Sequence, residues 1–382
     1  MKVGSPATSV CHWVGVTCGS RHRRVRSLNI SSMALMGKIR PHIGNVTFLV
    51  SLDLSHNYFY GNLPQEIAHL RRLRFLNLGV NGFNGEGVRE EIGKLENLKE
   101  LKIEGNRLTG SIPFSIFNIS GIKIIALTDN TLSGNLLPDT CDRQSMLEEL
   151  HLTFNELHGR MPLSLPNCSK LQLLSLSMNK FDGPIHSEIG YLSNLHILFL
   201  GQNQFEGTIL QDIGILDNLE VLGLEKNHLT GEVGNLTKLQ SLRLTENKLT
   251  GKIPDVSNLV ELVEIYLGFN KFTGALPSEL FNMSGMRVIE LLRNNLTGSI
   301  LPLNIGSMLP NIEAKLMVVE CGLKGKIRKG IGNLSTLIDL NLSGNGLVGS
   351  IPTTISNLRL LQSLKLSGNR LSGFIGDNQC KL

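Results

Sequence analysis

The chain has little aromatic character: Phe, Trp and Tyr together make up 5% of its 382 residues, and Trp occurs once. Any core it forms must therefore be mainly aliphatic. It also has no run of about 18 apolar residues, so no segment is expected to span a membrane. The opening MKVGSPATSVC lacks the apolar stretch of a secretion signal, which leads to the expectation of a chain that is trimmed or not exported. No nucleophile elbow, HExxH pair or isolated carboxylate pair stands apart from the rest, so neither catalytic residues nor an enzyme are expected. Charge of one sign is scarce as well. The 37 Lys and Arg against 32 Asp and Glu leave +5, an excess compatible with acidic peptides or cell-wall polyanions as partners but silent about fold. The one basic run, Arg21-His22-Arg23-Arg24-Val25-Arg26, has no aromatic platform beside it, so it reads as a solvated loop and no nucleic-acid partner is expected.

What the chain does have is a repeat. The stretch LIDLNLSGNGLVGSIPTTISNL, from Leu337 to Leu358, fits LxxLxLxxNxLxGxIPxxIxxL. Alternation around Leu340 and Leu342 suits a short strand with one buried face. Asn345 can spend its amide on backbone groups where the chain turns, Gly349 and Pro352 set the turn that follows, and Ile351, Ile355 and Leu358 return to the interior. The residues equivalent to Asn345 are Met33, Asn57, Asn81, Asn106, Asn130, Asn155, Asn179, Asn203, Asn227, Asn247, Asn270, Asn294, Cys321 and Asn369, which makes fifteen units. From 33 to 369 is 336 residues over 14 intervals, a mean period of 24. That is a leucine-rich-repeat period, and the pattern tolerates Cys at the Asn position. The spacing predicts an α/β-type solenoid with a parallel sheet on its concave face and turns and short 3-10 helices on the convex side. Two intervals depart from the rhythm, 20 residues between Asn227 and Asn247 and 27 between Asn294 and Cys321; both changes are expected on the return path, with the strands continuing.

Ahead of the first repeat, Cys11-His12-Trp13-Val14-Gly15-Val16-Thr17-Cys18 matches CxWxGVxC, and GxIP turns recur at Gly110 to Pro113, Gly251 to Pro254 and Gly349 to Pro352. On these motifs the chain resembles the ectodomain of a plant leucine-rich-repeat receptor kinase, of the innate-immunity subfamily that includes flagellin and elongation-factor receptors. The resemblance implies a right-handed superhelix outside the cell that binds a peptide or protein epitope and recruits a shorter leucine-rich-repeat co-receptor kinase. It implies no cofactor. With no kinase part and no spanning segment in the sequence given, such a module binds without signalling by itself. The alternative is a soluble inhibitor of a secreted cell-wall hydrolase, by analogy with polygalacturonase-inhibiting proteins. The domain reading is a partial cap over residues 1–26 and a solenoid over 27–382 without a closing cap.

Cys11 and Cys18 are expected to form the cap disulfide, as paired cysteines in an oxidising compartment do. A zinc set of Cys11, His12, Cys18 and His22 lacks the usual CxxC spacing. Cys321 is expected as a buried thiol in an Asn slot. Cys141 and Cys168 fall 11 and 13 residues after their repeat Asn, in different columns, so a disulfide between them is not favoured. Gly344-Asn345-Gly346-Leu347-Val348-Gly349 spells GxGxxG, but every residue in it already has a repeat role and no nucleotide is expected. Nine sequons occur, at Asn29, Asn45, Asn118, Asn167, Asn235, Asn282, Asn295, Asn333 and Asn341. Asn45, Asn118, Asn167, Asn235, Asn282 and Asn333 each lie twelve residues before the next ladder residue, a surface column where glycans fit.

Strand alternation turns the residues four, two and one before each ladder Asn outward. Early in the chain they are small. From the sixth to the twelfth unit they enlarge to His151, Phe154, Met178, Phe199, Gln202, Lys226, Arg243, Tyr266, Phe269, Glu290 and Arg293. Exposed aromatics and arginines are typical binding anchors, so these eleven residues are the candidate ligand track.

Overall fold

The computed structural model describes residues 9–142, 146–209, 211–233, 236, 238–299, 301–302 and 304–373. The sequon Asn235, the rear cap region and the first eight residues of the front cap lie outside them. Two compact units divide the chain, Met1–Leu195 and His196–Leu382.

In the first unit, strand Val16–Cys18 pairs antiparallel with Val25–Asn29 and closes the front of the sheet. Six more strands follow in parallel, Ser51–Asp53, Phe75–Asn77, Glu100–Lys102, Ile124–Ala126, Glu149–His151 and Leu173–Ser175. Their central residues stack in register as Leu28, Leu52, Leu76, Leu101, Ile125, Leu150 and Leu174. All but Leu28 are no more than 1% exposed, because alternation sends each toward the interior and its neighbours toward solvent.

The second unit repeats the plan with eight strands, from Ile197–Phe199 to Ser363–Lys365. The shortened interval keeps its register, Val221 opposite Ser241 and Gly223 opposite Arg243. In the long interval the surplus forms a turn of α-helix, Ile305–Met308, on the return path, while Val288–Leu292 pairs with Lys315–Val319. Both length changes thus lie away from the ladder, as expected.

The Asn column follows the strands of the main sheet by two to four residues, and the hydrogen bonds show why that residue recurs. The Asn57 amide nitrogen donates to the carbonyls of Ile30 at 2.8 Å and Leu54 at 3.0 Å. Its oxygen accepts from the amides of Met33 at 3.1 Å and Leu35 at 2.9 Å. One side chain therefore satisfies buried backbone groups in two successive repeats, which a hydrophobic residue could not do. Cys321 fills the slot with a thiol that donates to Leu291 O at 2.6 Å, and burial pushes that thiol up to about 11. Among the described residues it is the free cysteine, as expected.

Past the Asn column each unit holds a second parallel ladder that the repeat pattern did not announce, running through Tyr58–Gly61, Gly82–Glu86 and Arg107–Ser111 in the first unit and Gln204–Thr208 and His228–Gly231 in the second. Short 3-10 helices complete most repeats; Pro64, Pro113 and Pro352 sit at their N-caps with φ of −68°, −70° and −67°, the value proline fixes. No helix among the described residues is long and apolar enough to cross a membrane.

Cys11 and Cys18 are bonded, with Cα atoms 5.6 Å apart, which removes both thiols from the zinc set. The disfavoured pair is bonded as well: Cys141 and Cys168 form a second disulfide across 5.3 Å between Cα atoms. Counting residues from the ladder failed because the described part of the Cys141 return segment is a turn where its neighbours have a 3-10 helix. That turn, held where the Cys141 amide donates to Ser164 Oγ at 3.0 Å, brings Cys141 opposite Cys168.

Candidate functional site

The outward residues of the strands are where the sequence varies, and each unit presents its own set. In the first, His151 Nε2 lies 2.8 Å from Glu149 Oε2. Phe154 is 49% exposed and Met178 36%. In the second, Phe199, Gln202, Tyr266, Arg243 and Glu290 are half-buried, whereas Lys226, Phe269 and Arg293 are exposed.

Within the second unit the structure brings several of these side chains together. The Arg243 guanidinium lies 5.6 Å from the centre of the Tyr266 ring and donates to Glu264 Oε2 at 3.2 Å and, through Nε, to Ser241 Oγ at 3.2 Å. Arg293 lies 5.3 Å from the centre of the Phe269 ring and donates to Glu320 Oε2 at 2.7 Å. Lys226 reaches Glu246 at 3.8 Å. Two of these contacts, at Tyr266 and Phe269, place a guanidinium against an aromatic ring. Partial burial raises the Tyr266 hydroxyl above its ordinary pKa, helped by the Glu264 carboxylate and opposed by Arg243. Burial likewise raises Glu290, against the pull of Lys315.

Beside Arg243 and Tyr266 is an open pocket of about 290 Å³ that Glu225 and Thr245 also line. Two oxygens on its lining, Glu225 Oε2 and Thr245 Oγ1, are buried without a protein hydrogen-bond partner. Leaving such a group unsatisfied costs about 1–3 kcal/mol, more when it is charged. Gly201 and Gly223 make room for the arrangement: a Cβ on Gly201 would meet the Glu225 carboxyl carbon at 2.5 Å, and one on Gly223 would meet a Phe199 ring carbon at 2.8 Å.

Glu225, Thr245, Glu149 and Glu264 are not among the residues expected from the sequence. The first two stand in an outward column but were passed over for larger neighbours. The last two stand one step of alternation further back, six residues before the ladder Asn, and extending the period-2 rule would have reached them. The residue just before the ladder Asn has left-handed backbone, as at Phe154, Met178, Gln202, Lys226, Phe269 and Arg293, with φ between 46° and 59°.

Of the nine sequons, Asn29, Asn45, Asn118, Asn167, Asn282, Asn295 and Asn333 are exposed. Asn341 is not. It is 7% exposed and its Oδ1 accepts from both the amide and the hydroxyl of Ser343, so the expected glycan there is withdrawn.

Stacked aliphatic strands, a column of Asn closing each turn and chemistry carried on the outward strand positions together make the chain a leucine-rich-repeat solenoid. The Leucine Rich Repeat family model matches residues 48–70, 97–119, 238–258 and 336–358. In sequence, stretches of the chain are similar to Arabidopsis thaliana receptor proteins of this repeat type. It is 48% identical over 64 residues to the LRR receptor-like serine/threonine-protein kinase EFR, a stretch covering 17% of this chain and 6% of that protein. It is 35% identical over 138 residues to Receptor-like protein 39 of the same plant, covering 29% of this chain and 15% of that one. The matched stretches thus span a small part of these curated relatives. In structure it is similar to the plant peptide hormone receptor RGFR1 in complex with RGF2, with TM-score 0.78 and 29% identity over 90% of this chain and 63% of that one. It is also similar to the Arabidopsis receptor kinase HAESA in complex with the peptide hormone IDA and the co-receptor SERK1, with TM-score 0.81 and 26% identity over 98% of this chain and 71% of that one.

Proposed function

We propose that the chain is an extracellular recognition module that binds a peptide or protein epitope on the outward face of its strands. The observation that carries this reading is the cavity in the second unit, where Glu225 Oε2 and Thr245 Oγ1 are buried without protein partners beside the Arg243–Tyr266 pair. A ligand that places hydrogen-bond donors there satisfies both oxygens, while its apolar groups cover Phe199 and Phe269. His151, Phe154 and Met178 are a separate contact surface on the first unit. The peptide-bound receptors of similar fold support this class of ligand, and the co-receptor in one of them supports a shorter receptor kinase as a further partner. Two disulfides agree with an oxidising compartment.

A peptide-library screen against the secreted protein tests the proposal. The expected result is a saturable peptide whose affinity falls about tenfold or more in Phe199→Ala/Tyr266→Ala, the loss of one or more anchors worth about 1.4 kcal/mol in total. Unchanged affinity in that variant removes the assignment.

A further inference from the structure

On the flank of the first unit, away from the outward strand positions, lies a pocket of about 500 Å³ lined by Arg21, Arg24, Arg26, Arg72 and Arg74 around Phe48. The sequence showed one half of it, the basic run that reads as a solvated loop. The structure supplies the other half from two repeats further on. Backbone hydrogen bonds lock the spacing: Val50 N–H donates to Arg26 O and Arg74 N–H donates to Val50 O, each at 2.7 Å. Arg26 and Arg74 are thus held two strands apart, roughly 10 Å. None of the five guanidiniums takes part in an ion pair among the described residues, and no carboxylate lines the pocket. Elsewhere in the chain Arg243, Arg287 and Arg293 each have a Glu partner. Five like charges gathered without compensation raise one another's energy, and a multiply charged anion relieves it.

The lining also narrows the kind of anion. Arg24 and Arg72 cover Phe48, with guanidinium carbons 3.9 and 4.3 Å from the ring centre, so the aromatic surface is already used and no base can stack on it. Nor does the pocket present the apolar hollows or open strand edge by which an extended peptide is usually gripped. What remains is a dense set of planar donor forks, each matched to a carboxylate or sulfate. We infer that this pocket binds an acidic oligosaccharide, several carboxylates carried on a hydroxyl-rich backbone, independently of the peptide surface proposed above.

Titrating the folded protein with a linear oligouronate, the matching neutral oligosaccharide, poly-aspartate and a DNA duplex tests this. The expected result is saturable oligouronate binding that weakens as salt rises, no binding of the neutral sugar, and weaker binding of the other two polyanions. Arg72→Gln/Arg74→Gln, and independently Arg21→Gln/Arg26→Gln, lower oligouronate affinity at least about tenfold with the melting temperature retained, as lost charge-assisted contacts require. Arg243→Gln leaves it unchanged. Absence of saturable binding, native oligouronate affinity in either double variant, or preference for poly-aspartate or DNA overturns the inference.

Discussion

Glu225 lies down across Gly201. A Cβ at position 201 would sit 2.5 Å from the Glu225 carboxyl carbon and 2.6 Å from Oε1. The glycine is therefore a seat for a carboxylate on the lining of the pocket proposed to take the ligand. Gly201→Ala lifts that carboxylate by rotating the free end of a flexible side chain, at little cost to the fold. The expected outcome is a melting temperature within a few degrees of the native protein, together with peptide affinity reduced about as much as in Glu225→Gln. Native affinity in Gly201→Ala means that the carboxylate position does not matter.

Cys321 tests the Asn column from its one exception in the second unit. Its thiol is fully buried and pushed up to about 11 from an ordinary 9.0, burial being the main cause. The folded state therefore keeps a proton that the unfolded chain releases above pH 9, and stability is lost as pH rises from 9 toward 11. The contribution is about 2–3 kcal/mol for a shift of this size. Cys321→Asn restores the residue of the neighbouring repeats and removes this titration. Urea unfolding across that pH range is expected to show a steeper alkaline decline in the native protein than in the variant; parallel curves sink the idea.

The exposed sequon column makes a chemical prediction. Asn45, Asn118, Asn167 and Asn333 close 3-10 helices on the return side, and Asn282 caps another. Expressed through a secretory pathway, these sites are expected to carry glycans, whereas Asn341, held by Ser343, is expected to remain bare. Peptide mapping after glycan release checks both halves. A glycan on Asn341 requires that its strand be open when the modifying enzyme meets it, contrary to the buried ladder.

Much of the fold was legible because one physical demand recurs fifteen times: a strand must bury one face, and the turn after it must satisfy backbone groups. Leu and Asn at fixed spacing record that demand directly. The second ladder was not legible, since its pairing is backbone to backbone and leaves only a Leu and a Gly as trace. Cys141 and Cys168 escaped because counting positions assumes the same return path in both repeats. At the candidate site, size singled out Tyr266 and Arg243, which line the pocket, but overlooked Glu225 and Thr245 beside them, whose meaning depends on what fails to bond with them. Left-handed backbone before the ladder Asn has a weak signal in the glycines at 105, 344 and 368, which share that position and that conformation.

That conformation separates binding from stability at Phe269. Its φ is 55°, a region costing a non-glycine residue about 1–2 kcal/mol, and its ring is 39% exposed. The Arg293 contact at 5.3 Å returns about 0.5–1 kcal/mol at such an exposed position. Phe269→Asn relieves the strain, since Asn tolerates left-handed backbone, and forfeits the cation contact. The two effects nearly cancel, so unfolding free energy is expected to change by less than about 1 kcal/mol, where a buried Phe would cost about 3–5. Peptide affinity is expected to fall about tenfold, the typical share of an aromatic anchor. A loss of stability on the core scale would mean that Phe269 is held for the fold and not for the ligand. Unchanged stability with unchanged affinity would leave the strain unexplained by binding and would remove Phe269 from the site.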